Sequence, residues 1–108
     1  MSEATWVKSA DRGNREALIK LAKEDLAKRE NISAESELIA VESVTAVTWE
    51  DMTLGYPQPG RKVAPGYVPG YRIILNYGGR EYDYHSGFGR VVYVPPGKGQ
   101  APLPANML

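Results

Sequence analysis

Gly70 to Val94, GYRIILNYGGREYDYHSGFGRVVYV, reads as two consecutive β-hairpins. Tyr77-Gly78-Gly79-Arg80 carries a two-residue Gly-Gly loop, which suits a turn needing positive φ at both central residues. That turn sets the register. Tyr77 faces Arg80, Leu75 faces Tyr82, and Ile73 faces Tyr84. Side chains alternate along a strand, so Tyr71, Ile73, Leu75, Tyr82 and Tyr84 share one face, the predicted core side. Arg72, Asn76, Glu81, Asp83 and His85 share the other, wetter face, with Ile74 as the exception. Ser86 to Gly89 makes the next turn, Val91 to Val94 returns as the last strand, and Pro95-Pro96 stops it.

Upstream, Arg15 to Glu30, REALIKLAKEDLAKRE, reads as a helix. Leu18, Ala22 and Leu26 recur at four-residue spacing, with Leu21 beside them, giving one apolar stripe. Asn14 is the predicted N-cap, and Glu16, Lys28 and Arg29 suit the helix dipole at their respective ends. Asn31 is placed to end the helix in a left-handed conformation. Ser33 to Glu37 is a polar turn. Leu38 to Trp49, rich in Val, Ile and Thr, is a strand with imperfect alternation, and a bulge near Glu42–Ser43 brings its apolar residues into phase.

Asp51 to Gly70, DMTLGYPQPGRKVAPGYVPG, holds four prolines and four glycines. Proline removes amide donors and fixes φ, so no central strand is expected through it. The expected architecture is α+β: one helix packed on one face of an antiparallel sheet of about four strands, with a long Pro/Gly loop. Residues 1–13 read as a flexible arm on which Trp6 is available for docking, 14–95 as the single domain, and 96–108 as a disordered Pro/Gly-rich tail.

The chain has 108 residues, 13 basic and 13 acidic side chains, one histidine and no cysteine. A zero net charge argues against an electrostatic grip on nucleic acid or an anionic membrane. No apolar run approaches the roughly 20 residues that span a bilayer. The lack of cysteine excludes disulfides, thiol catalysis and cysteine-based zinc sites. No cofactor and no metal centre is expected. The start of the chain has no signal-peptide core, so it reads as soluble and cytoplasmic, or extracytoplasmic if a leader has been removed.

The candidate sites are few. His85, with Asp83 or Glu81, is the candidate general base. It is expected to face water, and Ser86 points to the opposite face, so the two form no catalytic pair. The Gly87-Phe88-Gly89-Arg90 turn joins two strands and opens no helix, which argues against a phosphate loop. Phe88 at its tip is an exposed apolar residue of the kind that marks a contact. Tyr56-Pro57-Gln58-Pro59 suits an extended polyproline-like form. A stiff exposed loop presents side chains to a partner with little entropy left to lose.

LGYPQPG, PGYRIILNYGGREYDYH and GRVVYV together resemble a family of small, largely uncharacterised bacterial domains, often secreted or lipoprotein. Their pattern is a helix, a strand ending in Trp, an L-G-C-P-Q-P-G loop, a P-G-Y-R-I strand, a Y-E-Y-H strand and a closing G-R-V-V-L-C. The resemblance runs from Leu18 to about Val94 and implies no established activity. Tyr56 stands where that pattern has its loop cysteine and Val94 roughly where it has the terminal one. The resemblance therefore implies an apolar contact of Tyr56 with the end of the last strand near Val94. The loss of both cysteines suits a reducing compartment. At the level of fold alone, the helix-then-meander order is similar to PepSY and cystatin-like domains, which bind proteins or peptides.

The sequence thus points first to a non-enzymatic domain that binds a protein or peptide, with Tyr56, Pro57, Gln58, Pro59 and Phe88 as the partner-binding residues and an inhibitor-like loop over residues 54–60. The alternatives are a structural module that self-associates through a sheet edge, and a small hydrolase built on His85.

Overall fold

The computed structural model describes residues 15–63 and 65–104; Trp6, the Asn14 cap and the arm lie outside the described residues. Helix α1 spans Arg15–Glu30. Four strands follow: β1 (Ala40–Asp51), β2 (Pro65–Tyr77), β3 (Arg80–Gly87) and β4 (Arg90–Val94). They form one antiparallel sheet in the order β1-β2-β3-β4.

The α1 sequence has no Gly or Pro and is dominated by strong helix formers. It ends at Asn31, which takes φ 57°. Ile32 N–H donates to Ala27 O at 3.0 Å and Asn31 N–H to Lys28 O at 3.4 Å. These are the two bonds of a Schellman cap, and they satisfy carbonyls the helix leaves open. Leu18, Ile19, Ala22, Leu26 and Ala27 are buried, whereas Leu21 is exposed. Each four-residue step turns the stripe about 40° further round the helix, toward Ile19 and away from Leu21, so Ile19 takes the place expected of Leu21.

The main core lies between α1 and the sheet. Leu18, Ala22 and Leu26 pack on Ile73, Leu75, Tyr82 and Tyr84. The hairpin register is the one the Gly-Gly turn requires: Tyr77 opposite Arg80, Leu75 opposite Tyr82, Ile73 opposite Tyr84. The tyrosines place their rings in this core and their hydroxyls against the helix. Tyr82 Oη donates to Glu30 at 2.5 Å and Tyr84 Oη to Asp25 at 2.8 Å. Burial, then the bond to Asp25, pushes the Tyr84 hydroxyl well above its ordinary range. Arg29, paired with Asp25, lies 4.0 Å from the centre of the Tyr93 ring.

β1 breaks register between Val41 and Ser43, the position of the expected bulge. β2 departs from expectation. It begins at Pro65 and runs thirteen residues through Pro69. It pairs with β1 from Pro65 onward but with β3 only from Gly70. Its first residues are therefore an edge with one neighbour, where a missing amide leaves no bond unmade.

The face away from the helix is not simply wet. Trp49, Leu54 and Val68 form a second core there, with Val47 and Val92 against it. Residues past Pro95, expected to be a disordered tail, lie against this face as far as they are described. Gln100 N–H donates to Gly55 O at 2.7 Å and Leu103 N–H to Thr48 O at 2.9 Å.

Candidate functional site

The loop after β1 is built by its own polar groups. The Asp51 carboxylate accepts from Thr53 N–H at 2.9 Å and from its hydroxyl at 2.6 Å. Leu54 N–H reaches Asp51 O and Tyr56 N–H reaches Thr53 O. Leu54 and Gly55 both take positive φ, 56° and 77°, and this bend drives the Leu54 side chain inward until it is fully buried. Only glycine fits at position 87 beneath it, since a β-carbon there would meet Leu54 Cδ2 at 2.7 Å and Val68 Cγ1 at 2.8 Å. The loop then reverses at Gln58-Pro59-Gly60-Arg61, where Arg61 N–H donates to Gln58 O at 3.1 Å and Gly60 has φ 77°. Proline second and a positive-φ glycine third define a type II turn. The turn thus begins at the end of the Tyr56-Pro57-Gln58-Pro59 run that was expected to be extended.

Phe88 and Gly89 form the two-residue turn between β3 and β4, with φ 53° and 72°. Both central residues carry positive φ, the pattern of a type I′ turn that usually takes Asn and Gly. A phenylalanine there is strained by roughly 1–2 kcal/mol, yet the residue is 61% exposed. Beside it lies a groove of about 620 Å³ whose walls come from the loop and from this hairpin. Met52, Tyr56, Val63, Phe88 and Val92 give it apolar walls, Thr53 and Gln58 polar ones, and Arg61 and Arg90 two cations. The Arg90 guanidinium donates to Met52 O at 3.2 Å, tying hairpin to loop.

Of the residues singled out in the sequence, Tyr56, Gln58 and Phe88 come together in this groove. Pro57 and Pro59 are exposed and do not line it. Met52, Val63, Arg61 and Arg90 were missed, because no periodic pattern marks them. Tyr56 shares the groove with Val92, while Val94 lies close to Gly99 of the tail. The loop reaches the chain beyond the last strand through the Gln100–Gly55 backbone bond, next to Gly99, which lies against Val94.

His85, expected to face water, is buried. It is 1% exposed. Its ring stacks on Trp49 with centroids 4.2 Å apart and 21° between planes. Nδ1 lies 2.6 Å from Leu54 O; a carbonyl only accepts, so Nδ1 carries the proton. Nε2 lies 3.3 Å from Asp83 Oδ1 without hydrogen-bond alignment. Arg72 grips both oxygens of Asp83, at 3.1 and 3.0 Å. Burial works to raise the Asp83 carboxyl, but His85 and Arg72 outweigh it and hold it below the ordinary value. A second cavity, about 430 Å³, lies between the tail and Arg72, Asp83 and Glu81, with His85 at its floor. Ser86 is turned away, its Oγ accepting from Tyr71 N–H at 3.0 Å and donating to Tyr71 O at 3.2 Å. Local alternation placed His85 on the right face. What covers that face comes from Leu54 and the tail, distant in sequence.

Fold and groove together define a small α+β domain with a built loop on one end of its sheet. The chain belongs to a family described as a domain of unknown function, DUF8738, whose model matches residues 19–94. No curated protein and no solved structure matches it. Among the described residues, no helix is long and apolar enough to cross a membrane.

Proposed function

We propose that this domain is a non-enzymatic recognition module that takes an apolar side chain of a protein or peptide partner into the groove beside Phe88. The observation that carries this reading is Phe88 itself. It occupies a left-handed turn position that asparagine or glycine would fill without strain, and it exposes its ring beside a groove walled by a separate loop. Strain kept at an exposed apolar residue is a reason to look for function there. Turns at Asp51–Tyr56 and Gln58–Arg61 stiffen the opposite wall, so little entropy remains to be lost on binding. Arg61 and Arg90 at the rim favour a partner with a carboxylate near its apolar anchor. The likeness to cystatin-like domains, and an inhibitory use of residues 54–60, are special cases of the same reading.

Selection of displayed random peptides on the immobilised protein tests it. The selected peptides are expected to share an aromatic or aliphatic anchor next to Asp or Glu. They should lose tenfold or more in affinity for Phe88→Ala and Tyr56→Ala, and nothing for the remote Lys20→Ala. Peptides that bind all three variants as well as wild type would overturn the reading, as would failure to enrich any peptide.

A further inference from the structure

The sheet has two edges of different character. β4 is five residues long, is followed directly by Pro95-Pro96, and lies beside α1, whose Arg29 sits over Tyr93. β1 is twelve residues long and pairs with β2 alone. Its central run Ser43–Thr48, SVTAVT, contains no charge and no proline, the usual devices that blunt an exposed edge.

The register says which backbone groups face outward. In an antiparallel pair, opposite residues exchange both hydrogen bonds or neither. The two-residue turn makes Tyr77–Arg80 a bonded pair, so odd-numbered residues of β2 bond to β3 and even-numbered ones to β1. Arg72 and Gly70 therefore bond Thr45 and Val47, and Val44, Ala46 and Thr48 point away from the sheet. Two observations agree. Thr48 stands opposite Pro69, which has no amide to exchange. The tail's Leu103 N–H bonds Thr48 O from outside at 2.9 Å. Among the described residues, that is the one backbone bond made from outside the sheet to the Ser43–Thr48 run.

We infer that β1 pairs with β1 of a second copy of this chain, antiparallel, about a two-fold axis at Thr45. Charge and the tail select this register. Outward groups must meet outward groups, so the axis falls on a residue. Centred on Ala46, the pairing puts Glu42 opposite Glu50 of the second copy and requires Thr48 O, which Leu103 already holds. Centred on Val44, it runs into the bulge between Val41 and Ser43. Centred on Thr45, Val44 and Ala46 of the two copies bond each other and Thr45 meets Thr45; the ladder stops there, because Leu103 holds Thr48 O and Glu42 lies in the bulge. The product is a continuous eight-stranded sheet with both helices on the same face. Its backbone bonds are few, so the dimer forms with concentration rather than as an obligate pair.

A chain without cysteine lets one introduced thiol report one contact. At the axis, Thr45 and its copy form a pair not bonded to each other, with Cα atoms about 4.5 Å apart, inside the roughly 4.4–6.8 Å range of disulfides. A thiol at Val47 is four residues out of register with its own copy, about 14 Å away. Under mild oxidation, Thr45→Cys should give a covalent dimer at least tenfold faster than Val47→Cys or the hairpin-tip control Arg80→Cys. Equal rates for the three overturn the proposal. Sedimentation equilibrium gives a second reading: wild type should dimerise with rising concentration, and Thr45→Lys, at an exposed position, should stay monomeric with an unchanged melting curve. A wild type that is monomeric up to roughly millimolar concentration overturns it equally.

Discussion

Gly70 and Asp83 show how single residues are chosen by what lies across the sheet from them. The Trp49 indole N–H donates to Ser86 O at 2.9 Å in a fully buried site. A β-carbon on Gly70 would stand 1.8 Å from that same oxygen and 3.2 Å from Trp49 Nε1. Because the obstruction is backbone, the neighbour cannot swing aside. Gly70→Ala should therefore cost about 3 kcal/mol or more, read as a lower urea midpoint. Gly60→Ala, with open space but positive φ, should cost only about 1 kcal/mol. Asp83 gives a pH signature. Its carboxyl is depressed in the fold from about 3.9 in an unfolded chain. The stabilisation is therefore present above about pH 4–5 and lost as pH falls through the folded value. Asp83→Asn should lower the melting temperature at pH 7 and narrow its gap from wild type as pH falls toward 3. A gap that stays constant over that range would refute the coupling with Arg72 and His85.

At the scale of elements, the loop and the β3–β4 turn separate stability from recognition. Leu54 is wholly buried between Val68 and Gly87, and Leu54→Ala should cost about 2–5 kcal/mol. Phe88→Asn should do the reverse, raising stability by up to about 1 kcal/mol, since asparagine tolerates the left-handed turn. Paired chemical denaturation of the two variants checks this; a destabilised Phe88→Asn would mean that the ring serves the fold. The same elements show what the sequence made legible. The Gly-Gly turn and the period of two specify the hairpin register, because both act between near neighbours. The bulge at Glu42 was legible for the same reason, as a local break in alternation. The burial of His85 was not, because it is decided by Leu54 and Gly55, some thirty positions away, and by the tail. The groove was half legible. Phe88 stood out as an apolar residue between glycines, and Tyr56 by its loop, but Met52 joins them only through the turns after Asp51 and its bond to Arg90, and Val63 only after the chain has turned at Pro59-Gly60.

For the whole molecule, the consequence is a sheet whose inner strands are covered on both faces by different means. The helix covers one face with side chains. The other is covered by a loop and then by a strap of backbone, exposed on its outer side, running from Pro95 to Leu103. Gly99 lets the strap lie close: a β-carbon there would meet Val94 Cγ1 at 2.8 Å and His85 Cε1 at 3.5 Å. Gly55 lets the loop lie close from the other side, under Gln100 O and against the Trp49 ring. The Trp49–His85 stack is thus closed by two segments that bond to each other, and the strap belongs to the folded unit although it lies beyond the family match at residue 94. A chain ended after Pro96 loses the Gln100–Gly55 and Leu103–Thr48 bonds and uncovers Val94 and His85. Two hydrogen bonds at roughly 0.5–1.5 kcal/mol each, with the added exposure, predict a loss of about 1–3 kcal/mol. In a Trp6→Phe background, the emission of Trp49 should shift to the red and become quenchable by iodide, while helix content by circular dichroism stays unchanged. Full stability and an unshifted emission in the shortened chain would show that the loop alone seals the second core, because among the described residues the strap bonds to the loop and β1 and lies on the Trp49–His85–Val94 surface.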